Sequence, residues 1–380
     1  MLEPESHAAL RREIELQIAA DGVLLDQLRA EIRPLKDKVR RIMPQTTTSI
    51  SLVAADGGNN QLRFDPFFIQ LVRVVDSSAN EHCLEVLSPT MSVTALSQRQ
   101  FNAAGEPVTA LGRMMKYLGV TDLSVLSHMI RSDKDDRPKS PSWVQVYREL
   151  VEWAILFSIV RDKDFASDTL IVFDGLLRSK AFAHDYFVRY RQGIEEGIAK
   201  HKKNRRNIYL VGLAKHSKVL ERYRLAMALE GVMHTQYPCY LPVPYELEQK
   251  AYVWPEYARG DEEAEQGGEI NKFVGGKMFL VKFGAGTRDP IWPVDILSSQ
   301  ANDVANVLGY LLADSINGFP VPHYPRCLQK AHEHAALVDF DMDVLQDQIF
   351  DGLRKSLGAE ASTLDAFRLQ DADPAQSRYS

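Results

Sequence analysis

The chain has 380 residues, of which 45% are hydrophobic and 25% are charged, and its formal net charge is −6. These values are typical of a globular protein with one large or two modest domains, and they exclude a fibrous or wholly disordered chain. No stretch approaches the roughly 18 consecutive apolar residues of a membrane helix, and the charged first residues differ from a secretory signal. The three cysteines lie far apart, which argues against a disulfide framework. We therefore expect a cytoplasmic protein without membrane association.

Residues 1–44 are expected to form a helical arm. Leu10, Ile14 and Ile18 begin a series of apolar residues at three- and four-residue steps between charged residues. Gly22 predicts a kink within this series. Such an arm covers a core or binds a partner.

The next part of the chain predicts a mixed α/β sheet. Three strand-like runs with short connections indicate an antiparallel meander, in which residues 57–60 form the first turn. Helix-linked strands follow, and further helices lie toward the C-terminus. The predicted strands are 48–56, 67–75, 82–88, 168–174, 207–214 and 277–283, and the predicted helices are 106–130, 142–160, 181–203, 217–230, 298–316 and 325–340.

Three boundaries follow from composition. We expect residues 45–340 to form the main domain, within which the proline-rich and acidic segment 237–272 is an insertion or surface excursion. Residues 341–380 are expected to form a C-terminal helix and a disordered tail.

The same short sequence pattern, an apolar strand followed by Asp-Gly, occurs in "SLVAADGG" and in "TLIVFDGLL". One copy is typical of a tight turn. If the two strands are neighbours, however, Asp56 and Asp174 emerge side by side, where two carboxylates repel unless a divalent cation lies between them. Hard oxygen ligands suit Mg²⁺ or Mn²⁺. The pair is therefore a candidate metal site.

Two further segments carry candidate residues. Glu149 and Glu152 lie on the helix that leads into the Asp174 strand, and either is a candidate third acid, although a solvent-facing glutamate is the commoner case. Lys215 follows the next strand and could contact a phosphate, within a lysine- and arginine-rich stretch, 200–224, that is either a solvated surface or a phosphate-binding one.

The C-terminal segment "HYPRCLQKAHEHAAL" offers His323, Tyr324, His332 and His334. On a helix His332 and His334 point to different sides, so at most one of them serves a given metal or proton-transfer role.

These segments together resemble the NurA family of nucleases, which work with the hexameric HerA ATPase and have an RNase H-like core. The matching segments are "VAADGG", "DTLIVFDGLL", "YLVGLAKHSK" and "YPRCLQKAHEHA", in the family's order. The predicted strand order agrees, since that fold begins with three antiparallel strands and adds helix-linked strands. The fold expectation is thus an RNase H-like mixed sheet with an N-terminal helical arm and C-terminal helices.

The resemblance implies a divalent-metal-dependent deoxyribonuclease that hydrolyses phosphodiester bonds with Mn²⁺ or Mg²⁺, as a 5′–3′ exonuclease, an endonuclease or both. It implies a homodimer that works with a HerA-type ATPase on DNA ends, either in resection during repair or in defence against phage. The residues it assigns to the site are Asp56, Glu152, Asp174, Lys215, Tyr324 and His332, and among these the metal ligands are Asp56, Glu152, Asp174 and His332.

The chain also departs from the family pattern, and two other functions stay open. Gly58 and Leu176 stand where relatives usually have serine after Asp-Gly. These losses favour a second reading, a regulatory or assembly subunit of a HerA-type complex with weak catalysis. A phosphotransferase with an RNase H-like fold is the third, although the sequence lacks a second meander.

Overall fold

A computed structural model describes residues 4–45, 50–64, 67–131, 142–252, 272–336 and 339–358; for residues 4–5, 50–64, 67–68, 339–343 and 346 it describes the backbone alone. Within these ranges nine strands form one sheet. The strands are β1 (Arg40–Arg41), β2 (Ile50–Phe64), β3 (Phe67–Asp76), β4 (Glu81–Leu87), β5 (Asp168–Asp174), β6 (Ile208–Leu213), β7 (Cys239–Pro242), β8 (Gly276–Lys282) and β9 (Ile291–Leu297). The helices are α1 (Pro4–Ala20), α2 (Gly22–Ile32), α3 (Val93–Gln98), α4 (Ala110–Leu118), α5 (Leu123–Leu126), α6 (Trp143–Asp162), α7 (Tyr186–Lys203), α8 (Lys218–Glu230), α9 (Tyr245–Ala251), α10 (Val304–Ser315), α11 (Arg326–Ala335) and α12 (Asp339–Leu357).

The strand order confirms the predicted fold class. The sheet runs β1-β7-β8-β9-β6-β5-β2-β3-β4. Within it β2, β3 and β4 are the antiparallel meander, while β5 joins β2 and β6 joins β5, both in parallel. This half of the sheet is compatible with an RNase H-like arrangement. The strands β7, β8 and β9 extend it on the other side of β6 in antiparallel pairs.

Helices cover both faces of the sheet. On one face α4, α6 and α7 pack on alternate strand residues, among them Ile171 and Phe173. On the other face α10 and α11 pack on the alternating residues of the same strand, Leu170 and Val172. A third cluster joins α2 and α8 to β7 and β8. Because β5 is buried from both sides, its continuous apolar sequence is explained.

The predicted arm is helical but is not continuous. Helices α1 and α2 break at Asp21, beside the glycine that predicted the kink. Ile32 of α2 is buried against α8, and Arg29 and Arg33 both bind Glu230 at the end of α8, with N–O distances of 2.7 and 2.9 Å. The second half of the arm is therefore attached to the main domain.

The predicted turn at residues 57–60 is wrong. β2 continues through this segment to Phe64, and each of its residues from Ala55 onward pairs with β3, for example Gly58 with Arg73. The antiparallel ladder with β3 supplies backbone hydrogen bonds at alternate residues, which outweighs the low strand propensity of glycine and asparagine. Asp56 thus lies within a strand, not at its end.

Three strands were not predicted from the sequence: β1, which lies within the expected helical arm, β7 and β9. The segment 237–272 was expected to lie outside the sheet, yet its first part forms β7 and α9, and Cys239 and Leu241 are fully buried; residues 253–271 fall outside the described ranges. β9 contains Pro293, which normally argues against a central strand. Here β9 pairs with β6 only from Val294 onward, so the proline lies outside that ladder. The predicted disordered tail, 359–380, is also outside the described ranges.

Candidate functional site

Asp174 is the last residue of β5, and its side chain lies on the face of the sheet that α11 covers. Leu170 and Val172 pack under α10 and α11, and side chains alternate along a strand, so Asp174 belongs to the same face. Phe173 points the other way and stacks on Trp153 of α6 at a ring distance of 4.4 Å. The alternation of β5 therefore directs the carboxylate away from the aromatic core.

The backbone of Asp56 lies level with Asp174. The parallel pairing of β2 with β5 ends at Ala55 opposite Phe173, so the next residue on each strand is the predicted aspartate. From Asp56 onward β2 continues with β3 as its partner. The sequence analysis required the strands of Asp56 and Asp174 to be neighbours in the sheet, and β2 and β5 are neighbours.

Two glycines make the chain turn directly after Asp174. Gly175 has a φ of +129°, which L-residues rarely adopt, and its N–H donates to the carbonyl of Leu213 at 2.9 Å. A Cβ on Gly212 of β6 would lie 2.4 Å from the carbonyl oxygen of Gly175. The glycine in "VGLAK" therefore leaves room for the turn that follows the "IVFDG" strand.

A buried ion network holds the next residues. Arg178 donates from Nε and Nη2 to the two carboxylate oxygens of Asp295 at 2.8 and 2.9 Å, and from Nη1 to Glu248 at 3.1 Å. The three side chains are exposed by 3% or less. This network ties the segment after Asp174 to β9 and α9.

Four of the six predicted residues line one cavity of about 490 Å³. They come from three separate segments: the end of β5, the loop after β6, and the segment that contains α11. The helix α11 packs on β2, β3 and β5 and brings its residues to the end of the two central strands. The residues that line the cavity are Asp174, Lys215, Trp292, Phe319, Pro320, Val321, Tyr324, Leu328, Gln329, His332 and Glu333.

The loop after β6 explains why Lys215 faces the cavity. Ser217 caps α8, because its Oγ accepts from the N–H of Leu220 at 3.0 Å, and the N–H of Ala214 donates to the carbonyl of Pro293 at 3.2 Å. Lys215 is exposed between these two anchored positions. The basic residues from Lys200 to Arg206 come before β6 in the chain. They therefore lie at the end of β6 that is opposite to Lys215.

Tyr324 and His332 differ in environment. Tyr324 is 3% exposed and packs edge-on against Trp292 at a ring distance of 4.8 Å, whereas His332 is exposed near the end of α11. The indole N–H of Trp292 donates to the carbonyl of His323 at 2.9 Å. The tyrosine thus belongs to the wall of the cavity, and the histidine is accessible to a ligand.

The two helical glutamates are both engaged with protein groups. Glu149 accepts from the hydroxyl of Ser179 at 2.5 Å and from the indole of Trp153 at 3.3 Å. Glu152 is 16% exposed and forms an ion pair with Arg148 at 3.2 Å. Helix α6 covers the face of the sheet opposite α11, and neither glutamate lines the cavity. The assignment of Glu152 as a third acid stays a prediction.

The chemistry of the donors fits a divalent cation such as Mn²⁺. Asp174 supplies a carboxylate, an oxygen ligand that suits Mn²⁺, and His332 supplies an imidazole, a ligand of transition metals, in the same cavity. Among the side chains that the structure describes, no three His, Cys, Asp or Glu residues converge on one point. The side chain of Asp56, the residue next to Asp174 in the register, falls outside that set.

Sequence reasoning missed the apolar part of the cavity. Trp292 lies in a strand interrupted by proline and Phe319 in the turn-like "NGFPVPHYP", so no sequence pattern indicated that either residue belongs to the site. Gln329 is a further buried member. A second cavity of about 500 Å³, beside β4, α4 and α6, contains none of the predicted residues.

The fold and cavity define a mixed α/β protein with a carboxylate, a lysine and a histidine at the ends of its central strands. No protein-family model matches the sequence, and no curated protein matches it significantly. Among solved structures, the chain is similar to the NurA nuclease from Sulfolobus solfataricus, with a TM-score of 0.43 and 14% identity over 94% of this chain and 99% of that chain. It is also similar to NurA bound to dAMP and manganese, with a TM-score of 0.35 and 11% identity over 87% of this chain and 94% of that chain. These are the proteins that the four sequence motifs resemble.

Within the described ranges, no helix has the length and apolar character needed to cross a membrane.

Proposed function

We propose that this chain is a divalent-metal-dependent deoxyribonuclease. The observation that carries the proposal is the convergence of Asp174, Lys215, Tyr324 and His332 on one cavity, although they are spread over about 160 residues of sequence. A carboxylate, an imidazole and an ammonium group in one open cavity suit a phosphodiester and a metal ion.

Asp174 and His332 would hold the metal together with Asp56, whose backbone lies beside Asp174. The bound ion would activate water and stabilise charge on the leaving oxygen. Lys215, exposed at the rim, would neutralise the phosphate. His332 is accessible enough to bind metal or to carry a proton, and Tyr324 would support the cavity wall beside it.

The proposal is tested by incubating the purified protein with single- and double-stranded DNA in the presence of Mn²⁺, Mg²⁺ or EDTA. We expect cleavage only with metal, and a loss of about 10³-fold or more in Asp174→Asn, since removal of a metal ligand abolishes the ion's contribution to the transition state. Asp351→Asn is the matched control, because this carboxylate of α12 is exposed, pairs with Arg354 and does not line the cavity. Metal-independent activity, or equal activity in the two variants, would contradict the proposal.

We also propose that the protein works as a homodimer with a HerA-type hexameric ATPase on DNA ends. The motif resemblance supports this, and so does an apolar stripe on α1: Leu10, Ile14 and Ile18 are 44 to 67% exposed at four-residue spacing. Such a stripe suits a helix-packing partner. The oligomeric state in solution and co-purification with the ATPase, for wild type and for Ile14→Asp, test it; unchanged assembly in the variant would count against α1 as the contact.

Both settings, end resection and phage defence, are compatible with this activity. If the wild type binds the ATPase and metal but cleaves no DNA, with or without that partner, the regulatory-subunit alternative replaces the nuclease.

A further inference from the structure

An exposed aromatic side chain stands at the mouth of the candidate cavity. Phe319 belongs to the loop of residues 316–325 between α10 and α11 and is 83% exposed. Single exposed apolar residues are common on protein surfaces. Phe319 differs from those because it lines the same cavity as Asp174, Lys215 and His332.

The loop that carries Phe319 is fixed to α11 by a buried glutamine. The side chain of Gln329 accepts from the N–H of Val321 at 2.8 Å and donates to the carbonyls of Val321 and Tyr324 at 3.0 and 2.9 Å. All three bonds are made to the backbone of the loop. They hold the residues directly after Phe319 in one conformation.

A glycine tightens the loop on the other side of Phe319. A Cβ at Gly318 would lie 2.5 Å from the carbonyl oxygen of Tyr324 and 2.8 Å from that of Val321, so only glycine allows this close approach. Phe319 is therefore exposed on a loop whose backbone is fixed by hydrogen bonds and close packing. Little conformational entropy of the loop is lost when the ring contacts a ligand.

The chemistry of the neighbouring groups indicates which ligand would cover the ring. Lys215 and the candidate metal ligands suit a phosphate, and in a nucleic acid every phosphate is linked through its sugar to a flat aromatic base. Bases in a duplex are already stacked and paired, whereas bases of a single strand have open faces. Stacking on an aromatic ring is tolerant of base identity, as a nuclease without sequence preference requires.

We propose that Phe319 stacks on a nucleobase of single-stranded DNA next to the phosphate held in the cavity. This inference rests on the proposed nuclease function for the position of that phosphate. It assigns the site a preference for unpaired DNA and makes Phe319 a substrate-positioning residue.

The test is an abasic scan by equilibrium binding, which does not depend on cleavage. Fluorescein-labelled oligothymidylate, and copies with one abasic site at successive positions, are titrated with full-length Asp174→Asn protein in EDTA and the Kd is read from anisotropy. We expect one position at which the missing base weakens binding by about 5- to 100-fold, in keeping with the range for base–aromatic stacking. When Phe319→Ala is added to the Asp174→Asn protein, the missing base at that position should no longer weaken binding. When Phe319→Trp is added instead, the missing base should still weaken binding.

Two further variants separate stacking from other roles. Phe319→Leu keeps an apolar side chain without a ring and should lose the position-specific effect. Ile316→Ala is the matched control, because Ile316 is 54% exposed on the same loop but does not line the cavity; it should retain the effect in full.

The inference is overturned if no position is sensitive to the missing base, or if Phe319→Ala weakens binding equally for all oligonucleotides. Equal loss would mean that the ring shapes the cavity or contacts a protein partner. The nuclease proposal fails by a different result, the absence of metal-dependent cleavage in protein with intact Asp174, so the two failures are distinguishable.

Discussion

Replacing Gly212 by alanine should disturb the candidate site from a position that contacts no ligand. The new Cβ would lie 2.4 Å from the carbonyl oxygen of Gly175 and 2.9 Å from the amide nitrogen of Leu177. Both are backbone atoms and cannot rotate away. Raising the first distance from 2.4 Å to 3.0 Å, below which Cβ contacts are essentially never found, requires a displacement of about 0.6 Å.

That displacement falls on the turn that begins directly after Asp174. We expect a stability loss of about 1–3 kcal/mol, the usual cost of overpacking. We also expect kcat to fall by about 10- to 100-fold, because a shift of about 1 Å in a reacting group costs on the order of 100-fold. The measurements are urea unfolding followed by circular dichroism, and Mn²⁺-dependent cleavage of single-stranded DNA by the folded fraction.

Gly352→Ala is the matched control, since a Cβ at this position in α12 meets no atom within 4 Å. It should leave cleavage unchanged and raise stability by up to about 1 kcal/mol, because alanine favours helix. If Gly212→Ala retains both the stability and the kcat of wild type, the turn after Asp174 is not positioned by β6 and the reasoning is refuted.

Three further predictions concern charge. Lys215→Ala should weaken DNA binding similarly for all sequences and reduce the slope of log K against log salt by about 1, measured by anisotropy at several salt concentrations; an unchanged slope would exclude a phosphate contact. Arg178→Met should cost about 3–5 kcal/mol in urea unfolding, because it leaves Asp295 buried without its cation; a cost below about 1 kcal/mol would mean that the network contributes little. Hydrogen bonds from Arg33 and a neighbouring arginine lower the pKa of Glu230 from 4.5 to about 2, so their contribution to holding α2 is present above pH 4.5 and is lost as the pH falls toward 2. The protection factors of the α2 amides, which are exchange rates corrected for the intrinsic pH dependence, should therefore fall between pH 5 and pH 2.5 in wild type, whereas Glu230→Gln should have lower protection already at pH 5 and lack that transition.

Much of the fold follows from local patterns. The apolar run that ends at Asp174 predicts a buried strand, and the structure has β5 with the predicted bounds 168–174. The helical periodicity after Ser217 predicts α8, which that serine caps. In both cases the residues that predict the element lie within it or directly beside it, so the information is local.

Other features depended on distant pairing. The glycines and asparagines after Asp56 predict a turn, but β3 supplies hydrogen-bond partners along the whole segment and the strand continues. Pro293 argues against a strand, yet it lies just beyond the ladder with β6, where its nitrogen, which has no hydrogen to donate, needs no partner in that strand. Short-range propensity is a small free energy, and a complete ladder of backbone hydrogen bonds outweighs it.

The sequence by itself determined the candidate site residues and their order along the chain: Asp174, Lys215, Tyr324 and His332 stand out from the motifs alone. Only the tertiary structure decided that they share a cavity, and that Phe319 joins them. The reason is physical. The type of a side chain states what it can bind, but strand register, the packing of α11 and a few buried hydrogen bonds decide which side chains meet.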